Sequence, residues 1–185
     1  MGNEPLFRSD FVQVDEVDAL TAEGKPYRHA RVTPRSRYGG IAIPFVARLD
    51  GLHIGLVRQF RPAIGRETLE FPRGSTDDLT SSEAAREMLE ETGMSPAGNP
   101  LRLGTLFPDT GLLATEVSVW AVRVDEESVA RSAEHQEEHS GARTEWLSSG
   151  VLSGKAMRGE IVCGMTLASL ALLRSRESAL VQHRA

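Results

Sequence analysis

The chain has a single cysteine, Cys163, in 185 residues. One thiol excludes an intramolecular disulfide and a thiolate zinc cluster, and it suits a reducing, cytoplasmic compartment. Basic residues are no commoner than acidic ones: 21 Lys and Arg against 26 Asp and Glu leave a net charge of −5. A nucleic-acid partner, which calls for a basic stripe, is therefore not expected. Long hydrophobic runs are missing too. The longest, Ile161 to Leu173, is too short and too amphipathic to span a bilayer, so no membrane partner is expected. Met1 to Asp10 lacks the apolar core of a signal peptide. There is no Gly-x-Gly-x-x-Gly. The one P-loop-like stretch, Gly150 to Lys155, has too few residues between its glycines, and Ala156 stands where a hydroxyl should hold Mg²⁺. No repeat or low-complexity linker divides the chain, so residues 1–185 are read as one domain with a sizeable core.

What is present begins with strand patterns. Residues 11–19 and 27–33 alternate weakly around a turn at Ala22 to Pro26. Ile41 to Leu49 and Leu52 to Phe60 are apolar runs joined at Asp50-Gly51, a strong hairpin signal. Glu67 to Phe71 is a short strand ending at Pro72, and a glycine-bearing loop over 73–79 follows. Further strands are predicted over 101–107, 116–124 and 142–147, and helices over 148–158 and 163–176. The polar, acidic stretch 125–141 is read as a loop. Strands first, then a helix, then strands and helices again suggest a mixed-sheet α/β or α+β sandwich, not a doubly wound parallel fold.

The most informative stretch is Arg86-Glu87-Met88-Leu89-Glu90-Glu91-Thr92-Gly93-Met94. Thr80 and Glu83 have the spacing of a reciprocal capping box, and Gly93 is a C-terminal stop, so a helix is predicted over 81–92. Ala84, Ala85, Met88 and Leu89 form its buried stripe. Glu83, Glu87 and Glu91 stack on another face, with Glu90 beside them. Like charges at that spacing repel by about 0.2–0.5 kcal/mol per pair. Arg86 reaches Glu90, but no basic residue of the helix serves Glu87 and Glu91. A hard divalent cation would remove the repulsion. A solvated acidic face is the other reading, and spacing alone leaves both open.

Arg-Glu-apolar-x-Glu-Glu-x-Gly-apolar resembles the second half of the Nudix box, matched here at every defined position. The first half departs from the pattern: Gly74 lies two residues closer to Arg86, and Asp77 and Asp78 stand nearest to the missing loop glutamate. Val57-Arg58-Gln59-Phe60-Arg61, followed by Gly65 to Pro72, resembles the ADP-ribose pyrophosphatase branch. At the turn Pro72-Arg73-Gly74, arginine replaces that branch's alanine. Arg158-Gly159-Glu160-Ile161 and Thr166-Leu167-Ala168 resemble its final helices.

The resemblance implies a Nudix-type mixed sheet sandwiched between helices, with antiparallel N-terminal strands (1–40) that take part in a homodimer and a core over 41–176. It implies hydrolysis of the pyrophosphate bond of ADP-ribose or a related nucleoside diphosphate sugar. Mg²⁺ would be the cofactor, with Mn²⁺ as a substitute. Glu87 and Glu91 would be the main metal ligands, with Glu90 and the Arg73 carbonyl supporting and Arg86 orienting Glu90. Glu138, with Glu137 as second choice, would be the general base in the acidic loop. Arg61, aided by Arg58 and Arg66, would bind substrate, as would Gly111 and Glu116 in and after Pro108-Asp109-Thr110-Gly111. Phe7, Phe11, Tyr27 and Tyr38 are the candidates for stacking on a base. Two alternatives stand beside this reading: a nucleoside triphosphate pyrophosphohydrolase, and a nucleotide-sensing module without turnover.

Overall fold

The computed structural model describes residues 5–138 and 142–182. Among these residues, ten strands and five α-helices form two sheets with helices packed against them. β1 (Phe7–Arg8), β2 (Val12–Leu20) and β3 (Pro26–Pro34) make a three-stranded antiparallel sheet. The main sheet runs β10 (Ala142–Ser148), β5 (Gly51–Arg61), β4 (Tyr38–Arg48), β9 (Glu116–Arg123), β8 (Leu101–Leu106). β4 and β9 pair in parallel, while the neighbouring ladders are antiparallel, so the sheet is mixed as expected.

β4 lies at the centre with Ile41 to Val46 all buried, which is why it reads as a continuous apolar run. Its alternate residues feed two cores. Ile41, Ile43 and Phe45 join Leu52, Ile54 and Leu56 beneath α3 (Ser149–Met157) and α4 (Gly164–Arg174). Ala42 and Val46 join Met88 of α1 (Ser81–Thr92) and Val122, with Val129 of α2 (Glu126–Glu138) packed alongside.

The β4–β5 ladder stops at Phe45↔Ile54. Beyond it the strands splay: β5 pairs with β6 (Arg66–Glu70) and β4 with β7 (Arg73–Thr76). The Phe71-Pro72 step between β6 and β7 therefore sits in a wedge at the open end of the sheet, directly upstream of α1.

Several boundaries differ from expectation. The hairpin turn is centred on Leu49-Asp50, with Gly51 already paired to Arg48. Part of the expected 73–79 loop is strand β7. The stretch 125–141 is not a loop through most of its length but helix α2. Asp125 accepts the Ser128 N–H at 2.7 Å and starts the helix. Two of its buried positions are serines, Ser128 and Ser132, so no apolar periodicity announces it. A last short helix, α5 (Glu177–Gln182), was not expected either. Among the described residues no helix is long and apolar enough to cross a membrane.

Candidate active site

α1 has the predicted ends, and Gly93 closes it at φ 71° with its N–H on the Leu89 carbonyl at 2.8 Å. The reciprocal capping box does not form. The Thr80 hydroxyl donates to Asp78 Oδ1 at 2.5 Å, and the same oxygen accepts the Thr80 N–H at 2.8 Å. Glu83 instead accepts the Asp77 N–H at 3.3 Å. The short loop is thus closed by a turn on Asp78, and that turn takes the hydroxyl that would have capped the helix. The buried stripe is also corrected: it is Ala84, Met88 and Thr92, while Leu89 is 47% exposed. Thr92 can be buried because its hydroxyl donates to the Met88 carbonyl at 2.5 Å.

The carboxylate face is better served than helix spacing suggested. Arg86 Nη2 contacts Glu87 Oε1 at 2.6 Å and Glu83 Oε2 at 3.2 Å, and Nη1 contacts Glu90 Oε1 at 2.8 Å. One guanidinium therefore offsets three carboxylates and also donates to the Ser75 carbonyl at 3.3 Å, tying the helix to β7. Glu91 lies outside this fan. Its Oε2 accepts the Arg73 backbone N–H at 3.2 Å, which fastens the Phe71-Pro72 wedge onto α1.

Gly74 faces α1 through its pairing with Gly40, and a Cβ there would stand 1.7 Å from Glu87 Oε2. Only glycine leaves room for that carboxylate. Gly74→Ala is expected to turn Glu87 out of place at a stability cost of about 1 kcal/mol or less, since only a side-chain end must move. If Glu87 takes part in turnover, the displacement should lower kcat/KM by up to about a hundredfold. Thermal melts together with kinetics test this; a variant with full activity would show that the Glu87 position is not needed.

A carboxylate with no role assigned from sequence organises the wedge. Glu70 is 2% exposed, at the end of β6. Arg61 forks onto it, Nε to Oε1 at 2.9 Å and Nη2 to Oε2 at 2.7 Å. Arg73 donates from Nε and Nη2 to Oε2 at 3.1 and 3.0 Å, and Thr68 donates to Oε1 at 2.6 Å. Burial pushes the Glu70 pKa upward, but the bonds from Arg61 and Thr68 and the nearby guanidinium charges outweigh it and hold it at about 2. The only sequence hint was an acidic residue between two apolar ones, Leu69 and Phe71.

Glu87 and Glu91 shift the other way. Burial raises both, and Glu91, where the Arg73 N–H and charge only partly compensate, reaches about 7. Among the described residues no three His, Cys, Asp or Glu side chains converge as a preformed cage. The donors do fit a hydrated divalent cation. They are hard oxygens one helical turn apart, with Glu87 accommodated by the missing Cβ of Gly74, and a Mg²⁺-type ion brings several of its own waters.

The other expected site residues scatter. Arg58 lies on the opposite sheet face from Arg61, where it forks onto Glu145 Oε2 at 2.6 and 3.1 Å. Arg66 is exposed at the start of β6. The Gly111 N–H donates to Asp109 Oδ1 at 2.8 Å in a turn after β8, and Glu116 opens β9. That turn is tethered to the N-terminal sheet through Val32 N–H to the Leu112 carbonyl at 2.8 Å and Ala114 N–H to the Val32 carbonyl at 2.9 Å. Glu137 and Glu138 fall in the last turn of α2, not in a loop; their side chains lie outside the described residues.

A cavity of about 240 Å³ lies between Gly39, Gly40, Gly74 and the 108–115 turn, with Arg73 on its wall. A larger hollow of about 730 Å³ sits at the other end of β4, around Arg48, Leu49 and Glu126. Neither wall includes an α1 carboxylate, but the smaller cavity shares Arg73 and Gly74 with the turn that meets Glu87 and Glu91, whereas the larger one lies at the far end of β4.

The fold is a mixed-sheet sandwich of the Nudix type, with the carboxylate helix under the splayed strands. No family model matches the chain. A mouse ADP-sugar pyrophosphatase is 38% identical over 79 residues, 40% of this chain and 36% of the relative. An uncharacterized Nudix hydrolase of Schizosaccharomyces pombe is 34% identical over 89 residues, 46% of this chain and 42% of the relative. The matched stretches thus span less than half of these curated relatives. A crystal structure described as an ADP compounds hydrolase superposes with a TM-score of 0.75 over 98% of this chain and 94% of that one, at 19% identity, a likeness of fold. In sequence, over these stretches, the chain resembles the ADP-ribose pyrophosphatase-like branch of the Nudix hydrolases.

Proposed function

We propose that this protein hydrolyses the pyrophosphate bond of ADP-ribose or a related nucleoside diphosphate sugar, giving a nucleoside monophosphate and a sugar phosphate. The observation that carries the reading is the wedge: Glu87 and Glu91 on α1 lie beneath the Arg73-Gly74 turn, and the Arg61 guanidinium is held at the same place by Glu70. Carboxylates for a cation and a guanidinium for phosphate oxygens are the two requirements of diphosphate chemistry, whose difficulty is charge.

Glu87 and Glu91 hold the cation, Mg²⁺ or Mn²⁺, with Glu90 and the Arg73 carbonyl in support. When bound, it neutralises phosphate oxygens and makes a bound water more acidic. Arg86 keeps Glu87 and Glu90 oriented. Arg61 binds the diphosphate, and Arg66, Gly111 and Glu116 are assigned as further substrate contacts. Glu138, or failing it Glu137, is assigned as general base. The reading extends to a cytoplasmic homodimer joined through the N-terminal sheet. None of that sheet's residues is buried in the single chain; Phe7, Leu20 and Tyr27 are exposed on it, and Phe11 is exposed in the turn before β2.

The shortened loop and the Arg86–Glu87 ion pair favour one alternative, a nucleotide-binding module without turnover. A panel of nucleoside diphosphate derivatives and nucleoside triphosphates with Mg²⁺ or Mn²⁺, scored for phosphate products, separates the readings. Tight binding of one member with turnover of none would sink the hydrolase reading.

The Glu91 pKa of about 7 gives a pH signature. Metal binding must displace a proton below that pH, so affinity should fall by about tenfold per unit as pH drops below 7. Without metal the sign for folding is opposite. The raised pKa contributes stability that is full below the ordinary value of 4.5 and lost as pH rises through about 7. Calorimetric titration with Mn²⁺ at pH 5.5, 6.5 and 7.5 checks the first; equal affinities at all three would remove Glu91 from the ligand set.

A further inference from the structure

Arg73 stands where the resembled branch has alanine, and its side chain has a defined place. Glu70 is already neutralised by Arg61, which uses both carboxylate oxygens, with Thr68 on one of them. Arg73 adds a second guanidinium to the same carboxylate, through Nε and Nη2 on Oε2 alone. Two guanidinium groups share one carboxylate, and the remaining carboxylate whose charge both feel is Glu91; a divalent cation held by Glu91 would leave the second positive charge of the wedge for an anion. The Arg73 side chain is 27% exposed, so the charge is neither buried away nor free to swing. Among the described residues, Arg73 is also the only charged one on the wall of the cavity of about 240 Å³ beside Gly74; the rest are apolar or neutral, including Tyr38, Leu113, Val117 and Met165. The Arg61–Glu70 pair is complete without a second arginine. A site for an anion gains from one, because a pre-oriented guanidinium loses little freedom when it binds phosphate oxygens.

We infer that Arg73 is a specificity-determining residue of this site: its guanidinium, positioned by Glu70, binds the diphosphate of the substrate from the cavity side. The inference rests on the hydrolase reading above. It predicts that this chain discriminates more strongly for the diphosphate anion than a site with a small residue at that turn.

Arg73→Ala and Arg73→Gln test it. Both keep the backbone N–H that holds Glu91 and the carbonyl beside it, and both leave the Arg61–Glu70 pair complete, so folding should survive in at least one. The measurements are KM and kcat for the best-turned-over nucleoside diphosphate sugar. The Kd of its non-hydrolysable methylene-bridged analogue is measured by calorimetry without added metal. Loss of a charge-assisted bond should raise KM and the analogue Kd by about tenfold or more, with a smaller change in kcat, and Arg73→Lys should recover part of the loss. An analogue Kd within twofold of wild type in both variants overturns the inference. So does a loss confined to kcat, which would mean that residue 73 acts only through its backbone. If wild type turns over no member of the panel, the hydrolase reading has failed and takes this inference with it. Wild-type turnover with unaffected variants overturns this inference alone.

Discussion

Replacing Glu91 with glutamine should lower kcat/KM by at least about a hundredfold while leaving the fold intact, because charge stabilisation by a bound divalent ion is worth several kcal/mol. The substitution is nearly isosteric, and the amide oxygen can still accept the Arg73 N–H that Glu91 holds at 3.2 Å. What disappears is the charge. In the metal-free protein that charge is costly, since burial raises the Glu91 pKa to about 7. Glu91→Gln should therefore melt at the same temperature as wild type or higher at pH 8 without metal, and it should lose the stabilisation that Mn²⁺ gives wild type. Activity near the wild-type level, or an undiminished melting shift with Mn²⁺, would remove Glu91 from the metal site.

Glu70→Ala should be the most destabilising single change in the site. The carboxylate is 2% exposed and accepts from Arg61, Arg73 and Thr68, so its loss leaves two guanidinium groups without the carboxylate that both of them bond. Removing one partner of a buried ion pair costs about 3–5 kcal/mol, and the low end applies because the arginine side chains are 32% and 27% exposed. Urea unfolding at pH 7 measures it; a loss below about 1 kcal/mol would mean that solvent screens the triad. The depressed pKa of about 2 sets the acid behaviour. The stabilising contribution is present above the ordinary value of 4.5 and disappears as pH falls through about 2. Glu70→Gln should accordingly flatten the acid limb of the stability profile.

Some of this molecule is written locally. Helix α1 could be bounded at Ser81 and Thr92 because its stop glycine and carboxylate spacing are properties of adjacent residues. β4 and β5 could be placed because a strand buried on both faces is apolar throughout. Where burial uses polar residues, the pattern fails. α2 buries Ser128 and Ser132, and α1 buries Thr92 while exposing Leu89, so hydrophobic periodicity missed α2 and misplaced the buried stripe of α1. The capping box at Thr80 and Glu83 had the right letters, but the Asp78 turn took the Thr80 hydroxyl.

From its sequence alone, then, this chain determines a carboxylate-bearing helix, a continuous apolar centre for a mixed sheet, and the resemblance that joins them. Those features depend on neighbours within a turn or a strand, where spacing translates directly into geometry. The tertiary structure alone decides which charges meet. Arg86 fans across three carboxylates, Arg58 is turned to the far face against Glu145, and Glu70 gathers Arg61 and Arg73 where the strands splay. Such pairings follow from strand register, and register is set by the whole packed sheet, not by the residues that end up in contact.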